Sequence, residues 1–70
     1  MNIILNGEAR RSEAATLTEL WREETGLAEG DPRKGFAIAV NGQLVPHAEW
    51  DTTRLGEDDR IEIVRAMQGG

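Results

Sequence analysis

The sequence has no cysteine and no tyrosine, and it has one phenylalanine and one histidine among its 70 residues. Without cysteine there is no disulfide framework, no thiolate metal ligand and no cysteine nucleophile, as expected in the reducing cytoplasm. A cationic excess is also missing, since 8 basic residues face 13 acidic ones and the formal net charge is −5. No nucleic-acid partner is expected, because lysine and arginine must neutralise phosphates. The charge favours a partner with a basic docking face.

Long apolar runs are absent as well. No stretch approaches the roughly 20 apolar residues that span a bilayer. The start, Met1-Asn2-Ile3, lacks the charged and apolar regions of a signal peptide. We therefore expect a compact cytoplasmic protein with no membrane partner. A chain of this size buries only about 60% of the surface that its unfolded form exposes, which leaves little room for an enclosed catalytic pocket.

Side chains suited to catalysis are scarce and scattered. His47 is the only histidine, and we interpret it as a solvated loop residue. The adjacent carboxylates Glu23-Glu24 and Asp58-Asp59 would point in different directions on a helix or strand, so they make no acid–base pair. Metal-ligand spacing and phosphate-binding glycine motifs are missing too. The side chains therefore predict no active site, no metal and no bound cofactor.

Alternating apolar residues and turn residues predict five strands. They cover residues 1–5, 9–14, 36–40, 43–45 and 60–66. Asn6-Gly7 follows the first strand and Asn41-Gly42 follows the third. This dipeptide suits a type I′ hairpin turn, because both of its central residues need positive φ. We therefore expect two hairpins and one further strand at the end.

One helix is predicted between the two hairpins. Thr16 to Glu19 matches a capping box, and Gly26 lies where a left-handed cap ends a helix. The apolar stripe of this helix includes Trp21. A loop is predicted over 28–35 and an irregular segment over 47–55, the latter anchored by Trp50. Both tryptophans are interpreted as core or core-edge residues, because a small domain relies on large aromatic side chains for buried area.

The resulting order is ββαβββ, with one helix packed across one face of a mixed sheet. The last strand pairs most simply with the first, parallel and in the centre of the sheet. This is the α+β arrangement of the β-grasp, or ubiquitin-like, fold. We assign residues 1–66 to the β-grasp domain and residues 67–70 to a flexible C-terminal tail.

The main chain of this tail offers the chemistry that the side chains lack. Gly69-Gly70 follow the last strand closely, and the four residues past Ala66 reach roughly 13 to 14 Å when extended. Two residues without side chains can enter a slot too narrow for any Cβ, and Met67 and Gln68 would thread into a partner with them. A free carboxylate on Gly70 is ionised at pH 7. It can attack the α-phosphate of ATP to give an acyl-adenylate, which a sulfur or amine nucleophile opens.

Several short blocks spread over most of the chain resemble the ThiS family, the sulfur carriers of thiamin biosynthesis. The blocks are Leu5-Asn6-Gly7-Glu8, Ala39-Val40-Asn41-Gly42, Val45-Pro46, Glu49-Trp50, Arg54-Leu55, Arg60-Ile61-Glu62-Ile63-Val64 and Ala66-Met67-Gln68-Gly69-Gly70. Three places depart from the family pattern. The loop Glu29 to Gly35 looks longer than usual, Asp58-Asp59 stands where members often show Gly-Asp, and His47-Ala48 replaces a common Arg-Ser.

The resemblance implies that the chain is a carrier and a substrate of enzymes, not an enzyme itself. An E1-like adenylating enzyme (ThiF-like) would adenylate Gly70 with ATP, and Gly69 would supply the slim approach. A sulfur donor system fed by a cysteine desulfurase would then convert the adenylate to a thiocarboxylate. Thiazole synthase (ThiG-like) would take that sulfur into the thiazole ring of thiamin. ATP and the sulfur donor are used by the partner enzymes, so no bound cofactor is expected.

Two other functions remain open at the level of sequence. The same activation chemistry would also serve molybdopterin synthesis, tRNA thiolation or attachment to lysines as a protein modifier. A β-grasp binding module with an inert tail is the alternative from a different class. The two classes differ in whether Gly69-Gly70 is needed for function.

A docking face is predicted from the alternation of the last and third strands. If Ile38, Val40, Ile61 and Ile63 face the helix, a small apolar set faces outward beside the tail. Its members are Ala37, Ala39, Val64 and Ala66. This set is interpreted either as a partner-docking surface or as an ordinary, mildly apolar sheet surface.

Overall fold

A computed structural model describes residues 1–26 and 35–65 of the chain. The strands are β1 (Asn2–Leu5), β2 (Glu8–Arg11), β3 (Phe36–Val40), β4 (Gln43–Val45) and β5 (Arg60–Arg65), and the helix is α1 (Leu17–Thr25). They form one sheet of order β2-β1-β5-β3-β4. The β1–β5 pair is parallel and the other pairs are antiparallel. The ββαβββ order and the central last strand are thus confirmed.

The second strand covers Glu8–Arg11 and ends before its predicted range of 9–14 does. Ser12 makes the last main-chain bonds beside β1, since its N–H donates to the Met1 carbonyl at 2.9 Å and its carbonyl accepts from the Met1 amino group at 2.9 Å. Beyond Ser12 the backbone turns onto the side chain of this residue. Its buried hydroxyl accepts a hydrogen bond from the Ala14 N–H at 3.0 Å and donates one to the Glu23 carboxylate at 2.9 Å. Such side-chain bonds offer the backbone an alternative to strand pairing. The predicted irregular segment contains one 3₁₀ turn, His47–Glu49. The predicted loop over 28–35 lies outside the described residues except for Gly35.

Both Asn-Gly dipeptides form the predicted hairpin turns. Asn6 and Gly7 have φ values of 50° and 84°, and Asn41 and Gly42 have values of 53° and 88°. These pairs of positive φ values are the type I′ geometry, whose twist matches that of the flanking strands. Asp58 also has positive φ, 66°, in the turn before β5. The first aspartate of the Asp58-Asp59 pair therefore adopts a conformation that favours glycine.

The helix begins and ends at the predicted caps. The Thr16 hydroxyl accepts a hydrogen bond from the Glu19 N–H at 3.3 Å, and the Gly26 N–H donates to the Arg22 carbonyl at 2.8 Å with φ of 70°. The capping box differs in one bond. The Glu19 carboxylate accepts from the N–H of Ala15 at 2.8 Å, one residue before the cap. Thr16 itself forms a β-bridge with Arg54, which ties the helix start to the segment before β5.

Substituting Thr16 tests the contribution of this cap. Thr16→Ala removes the hydroxyl acceptor, so we expect the free energy of unfolding to fall by about 1 kcal/mol. For a domain of this size that change lowers the melting temperature by about 4–8 °C. Thermal unfolding followed by circular dichroism measures it. Thr16→Ser keeps the hydroxyl and should restore most of the loss, whereas equal melting temperatures for wild type and Thr16→Ala would contradict the role of the cap.

The core lies between α1 and one face of the sheet, and both tryptophans belong to it as predicted. The rings of Trp21 and Phe36 pack edge to face with centroids 5.6 Å apart, and those of Trp21 and Trp50 lie 5.8 Å apart. The Trp50 indole N–H donates to the Val45 carbonyl at 3.0 Å. The fully buried large side chains are Ile3, Leu17, Leu20, Trp21, Ile38, Trp50 and Ile61. No helix in the described part of the chain is long and apolar enough to cross a membrane.

Candidate functional site

The strand that leads to the predicted tail lies in the centre of the sheet and is held from both sides. β3 pairs with β5 from Phe36 opposite Arg65 to Val40 opposite Ile61. β1 pairs with the first part of β5, where Leu5 lies opposite Ile61. The predicted tail residues Met67, Gln68, Gly69 and Gly70, and also Ala66, lie outside the described residues. The described site is therefore the root of the tail, which ends at Arg65.

Two turn asparagines hold this strand through their side chains. The Asn6 amide donates to the Ile63 carbonyl at 3.3 Å and accepts from the Ile63 N–H at 3.0 Å. The Asn41 side-chain oxygen accepts from the Arg60 N–H at 3.0 Å, and the Asn41 N–H donates to the Arg60 carbonyl at 2.7 Å. Each side-chain amide makes hydrogen bonds to the main chain of β5 that the backbone of a neighbouring strand would otherwise make. These bonds are absent from the sequence prediction, because Asn6 and Ile63 are 57 residues apart and local patterns do not report such pairs.

Arg65, Phe36 and His47 lie together at the end of the sheet where β5 ends. The Arg65 guanidinium carbon lies 5.5 Å from the centroid of the Phe36 ring, a cation–π contact that orients the side chain toward β3. His47 Nε2 donates to the Phe36 carbonyl at 2.7 Å, and its ring packs 4.8 Å from Trp50. His47 is exposed, as predicted, but its ring is bonded to the protein. The His47 side chain bonds β3 at Phe36, beyond the point where the pairing of β3 with β4 ends.

Three of the four predicted docking residues lie together on the face of the sheet opposite α1. Val64 is directly opposite Ala37 on β3 and is 54% exposed. Ala39 lies between Glu62 on β5 and Leu44 on β4, and Leu44 is 72% exposed. We call the set Ala37, Ala39, Leu44 and Val64 the outer apolar patch. The fourth predicted residue, Ala66, lies outside the described residues.

The opposite faces of the same strands agree with the predicted alternation. Ile38 and Ile61 are fully buried, and Val40 and Ile63 pack against the core. Leu44 is the patch residue that sequence reasoning missed, because a strand of three residues is too short to show alternation. The turn at Asn41-Gly42 carried the missing signal: a two-residue turn places Leu44 opposite Ala39 and so on the same face.

Two depressions on the described surface lack the usual nucleophiles of a catalytic site. Two shallow depressions of about 390 and 400 Å³ lie on the outer face near the start of β5. Arg60 and Glu62 line both of them, together with turn residues, and neither depression contains a histidine or a hydroxyl nucleophile. Within residues 1–26 and 35–65, no group of three histidine, aspartate or glutamate residues could hold a metal ion. These open depressions suit contact with a partner.

A β-grasp body whose central last strand leads into a Gly-Gly sequence defines the class of ubiquitin-like carrier proteins. The model of the ThiS family matches residues 3–70, so the chain belongs to the ThiS family. It is similar to the sulfur carrier protein ThiS of Thermus thermophilus, with 38% identity over 66 residues, 94% of this chain and 95% of that protein. The chain is accordingly a sulfur carrier of thiamin biosynthesis and not an enzyme.

Solved structures and one longer relative complete the comparison. The crystal structure of the thiamine biosynthesis protein (ThiS) from Geobacter metallireducens superimposes with a TM-score of 0.74 at 25% identity and covers all of both chains. The solution NMR structure of the thiamine biosynthesis protein from that organism gives 0.71 and covers 88% of that chain. A thiazole synthase of Paramagnetospirillum magneticum is 31% identical over 70 residues. The chain spans only 20% of the length of that enzyme.

Proposed function

We propose that this carrier transports sulfur as a thiocarboxylate on Gly70 and delivers it to thiazole synthase. A Gly70 carboxylate oxygen attacks the α-phosphorus of ATP, pyrophosphate leaves, and an acyl-adenylate forms. Sulfide (HS⁻) then attacks the carbonyl carbon, AMP leaves, and the thiocarboxylate remains. A persulfide donor gives an acyl disulfide instead, which a second thiol cleaves to the thiocarboxylate and a disulfide. An E1-like adenylating enzyme catalyses the first step. A donor system fed by a cysteine desulfurase supplies the sulfur.

The position of β5 is the observation that carries this proposal. The strand is central, and the Asn6 and Asn41 side chains add hydrogen bonds to those of its neighbours. Gly70 lies five residues beyond Arg65, a distance of at most roughly 17 to 18 Å when extended. The end of β5 is firmly held, and the five residues that follow it include two glycines without side chains. This combination suits delivery of a terminal carboxylate into a narrow enzyme channel. Met67, Gln68 and Gly69 form the part of the reach that enters the channel.

Thiazole synthase is the proposed acceptor of the sulfur. The thiazole synthase of Paramagnetospirillum magneticum contains a region similar to the whole of this chain. A carrier-like region and an enzyme of that name therefore occur in one polypeptide. Two proteins that act in sequence gain effective concentration when they are joined in this way, which supports direct contact between this carrier and thiazole synthase.

Intact-mass measurement tests the proposed chemistry. The untagged protein is incubated with ATP, an E1-like adenylating enzyme and a sulfide source. We expect a mass gain that corresponds to sulfur replacing one oxygen, and we expect it only when ATP is present. A second carrier that the same enzyme is known to thiolate provides the positive control. No gain with that enzyme active would contradict the proposed function and favour a binding module with an inert tail.

The outer apolar patch, with Ala66 predicted to extend it, is the proposed docking surface for the adenylating enzyme. Val64→Asp places a charge in this patch, so we expect the affinity for the enzyme to fall at least about tenfold. Because Val64 is half exposed, the fold should be retained. Calorimetric titration measures the affinity, and circular dichroism checks the fold.

A matched variant separates docking from net charge. Ala9 is on the edge strand β2 and lies opposite Ile4 of β1. It shares the sheet face of the patch but lies at the other side of the sheet. Ala9→Asp adds the same negative charge away from the patch and should leave the affinity nearly unchanged. Equal weakening by both variants would assign the effect to charge, and full binding by Val64→Asp would remove the patch from the interface.

A further inference from the structure

The strand β1 ends before its parallel partner β5 does. Leu5, the last residue of β1, lies opposite Ile61, whereas β5 continues to Arg65. On the other side, β3 accompanies β5 along this whole stretch. Over its last residues, the central strand therefore has a neighbouring strand on one side only among the described residues.

The hydrogen bonds of β5 identify which main-chain groups face the open side. The Ile61 carbonyl accepts from the Asn6 N–H at 2.9 Å, and the Ile63 main chain bonds the Asn6 amide. Arg60 bonds Asn41, on the β3 side. Successive residues of a strand direct their N–H and C=O groups to alternate sides. The N–H and C=O of Arg65 therefore point to the β1 side, where no described residue bonds them.

Asn6 defines where this open edge starts. Its amide satisfies both main-chain groups of Ile63, so the edge is closed up to that residue. The next outward groups belong to Arg65, at the root of the tail. The Arg65 side chain does not cover them, because its guanidinium lies over Phe36 on the opposite side of β5. Unpaired strand edges are templates for the addition of another strand.

We propose that an extended segment of thiazole synthase adds to this edge as a strand in line with β1 and pairs with the main chain of Arg65. This inference deepens the proposed function and rests on it. Main-chain donors and acceptors on one strand edge fit an extended polypeptide, and strand addition is a common mode of peptide recognition. Thiazole synthase is the proposed occupant because the thiazole synthase of Paramagnetospirillum magneticum includes a region similar to this chain. Pairing beside the root would align the tail with the sulfur-accepting centre.

Proline substitution at Arg65 tests the pairing by removing one donor. Proline has no N–H, and the Arg65 N–H has no partner in the described structure, so Arg65→Pro should retain the fold as proline does on edge strands. Binding is measured by calorimetry with a purified thiazole synthase that lacks its own carrier. We expect Arg65→Pro to bind at least about tenfold more weakly than wild type. Arg65→Ala keeps the N–H and loses the guanidinium, and it should bind nearly as well as wild type.

Amide hydrogen exchange of the unmodified chain provides a second readout. We expect the Arg65 amide to exchange rapidly in the free protein and to become at least about tenfold more protected in the complex. The Val64 amide faces β3 and serves as an internal reference that is protected in both states. Binding without protection at Arg65 would overturn strand addition and leave the carrier function intact. Protection that depends only on the concentration of the chain itself would assign the edge to a second copy and also overturn the proposal.

Sulfur transfer distinguishes failure of this inference from failure of the proposed function. If thiocarboxylate on wild type is consumed by the synthase while Arg65→Pro binds normally, the carrier role holds and the edge is not used. If no thiocarboxylate forms at all with a competent adenylating enzyme, the function itself is wrong. The expected combination is normal thiocarboxylate formation with impaired binding and transfer by Arg65→Pro.

Discussion

Deleting Gly70 is expected to abolish thiocarboxylate formation and to leave the body of the protein folded. The deletion keeps a terminal carboxylate, now on Gly69, but shortens the reach of the tail by roughly 3.3 to 3.6 Å. Such a displacement exceeds what in-line attack on phosphorus tolerates, since an error of about 1 Å can cost about a hundredfold in rate. In the sequence, the buried core residues of the described structure run from Ile3 to Ile61. Gly70 is outside this range, so its deletion should not change the melting temperature. Intact mass after incubation with ATP, adenylating enzyme and sulfide measures the result.

A second tail variant separates the effect of tail length from the effect of side-chain size. Gly70→Ala retains the length and the carboxylate and adds only a Cβ, so it should react slowly if the enzyme channel fits glycine alone. In cells, the deletion should create a requirement for the thiazole moiety of thiamin. A requirement for a different sulfur-containing product would redirect the carrier to another pathway. Thiocarboxylate formed at the normal rate by the deletion variant would contradict the assignment of Gly70 as the reacting residue.

Replacing Trp50 by alanine is expected to cause the largest loss of stability. Trp50 is 0% exposed, its ring packs against Trp21, and its indole N–H donates to the Val45 carbonyl. Truncating a buried tryptophan costs about 3–5 kcal/mol. The whole free energy of unfolding of a protein is only about 5–15 kcal/mol, and a chain of this size has a small core. Urea unfolding followed by circular dichroism should therefore give a midpoint far below that of wild type.

Trp50→Phe divides this loss between packing and hydrogen bonding. Phenylalanine keeps much of the buried ring but leaves the Val45 carbonyl without the indole donor, so we expect an intermediate loss that includes about 1–3 kcal/mol for the unpaired group. Trp21 remains as a fluorescence probe in both variants. A loss under about 1 kcal/mol for Trp50→Ala would contradict its place in the core.

The parts of the fold that depend on neighbouring residues were predictable from sequence. Asn-Gly turns, the Thr16 cap and the Gly26 stop act through bonds within a few residues, and the structure has each of them. β2 ends earlier than predicted because the Ala14 N–H bonds the Ser12 hydroxyl, which in turn bonds a glutamate on the helix. A strand pattern does not report such a contact. Leu44 was missed because its strand has only three residues. The turn would have placed it.

The candidate site divides in the same way. Family membership of the chain is confirmed, while the roles of Met67, Gln68, Gly69 and Gly70 stay predictions outside the described residues. The Asn6–Ile63 bonds and the open edge at Arg65 could not be predicted. They depend on where β1 stops relative to β5, a register that follows from packing between distant parts of the chain.

The order of the strands along the chain has a consequence for biosynthesis. The central strand β5 is the last described strand to be made, and it closes the contact between Ile4 and Arg60 across most of the chain. Until Ile61 has left the ribosome, Leu5 and Ile38 have no central strand to pack beside. Contacts this distant in sequence form late, because closing a long loop costs entropy before it gains packing. A nascent chain therefore folds only after the strand that bears the tail has emerged, and prematurely terminated chains remain unfolded substrates for proteolysis.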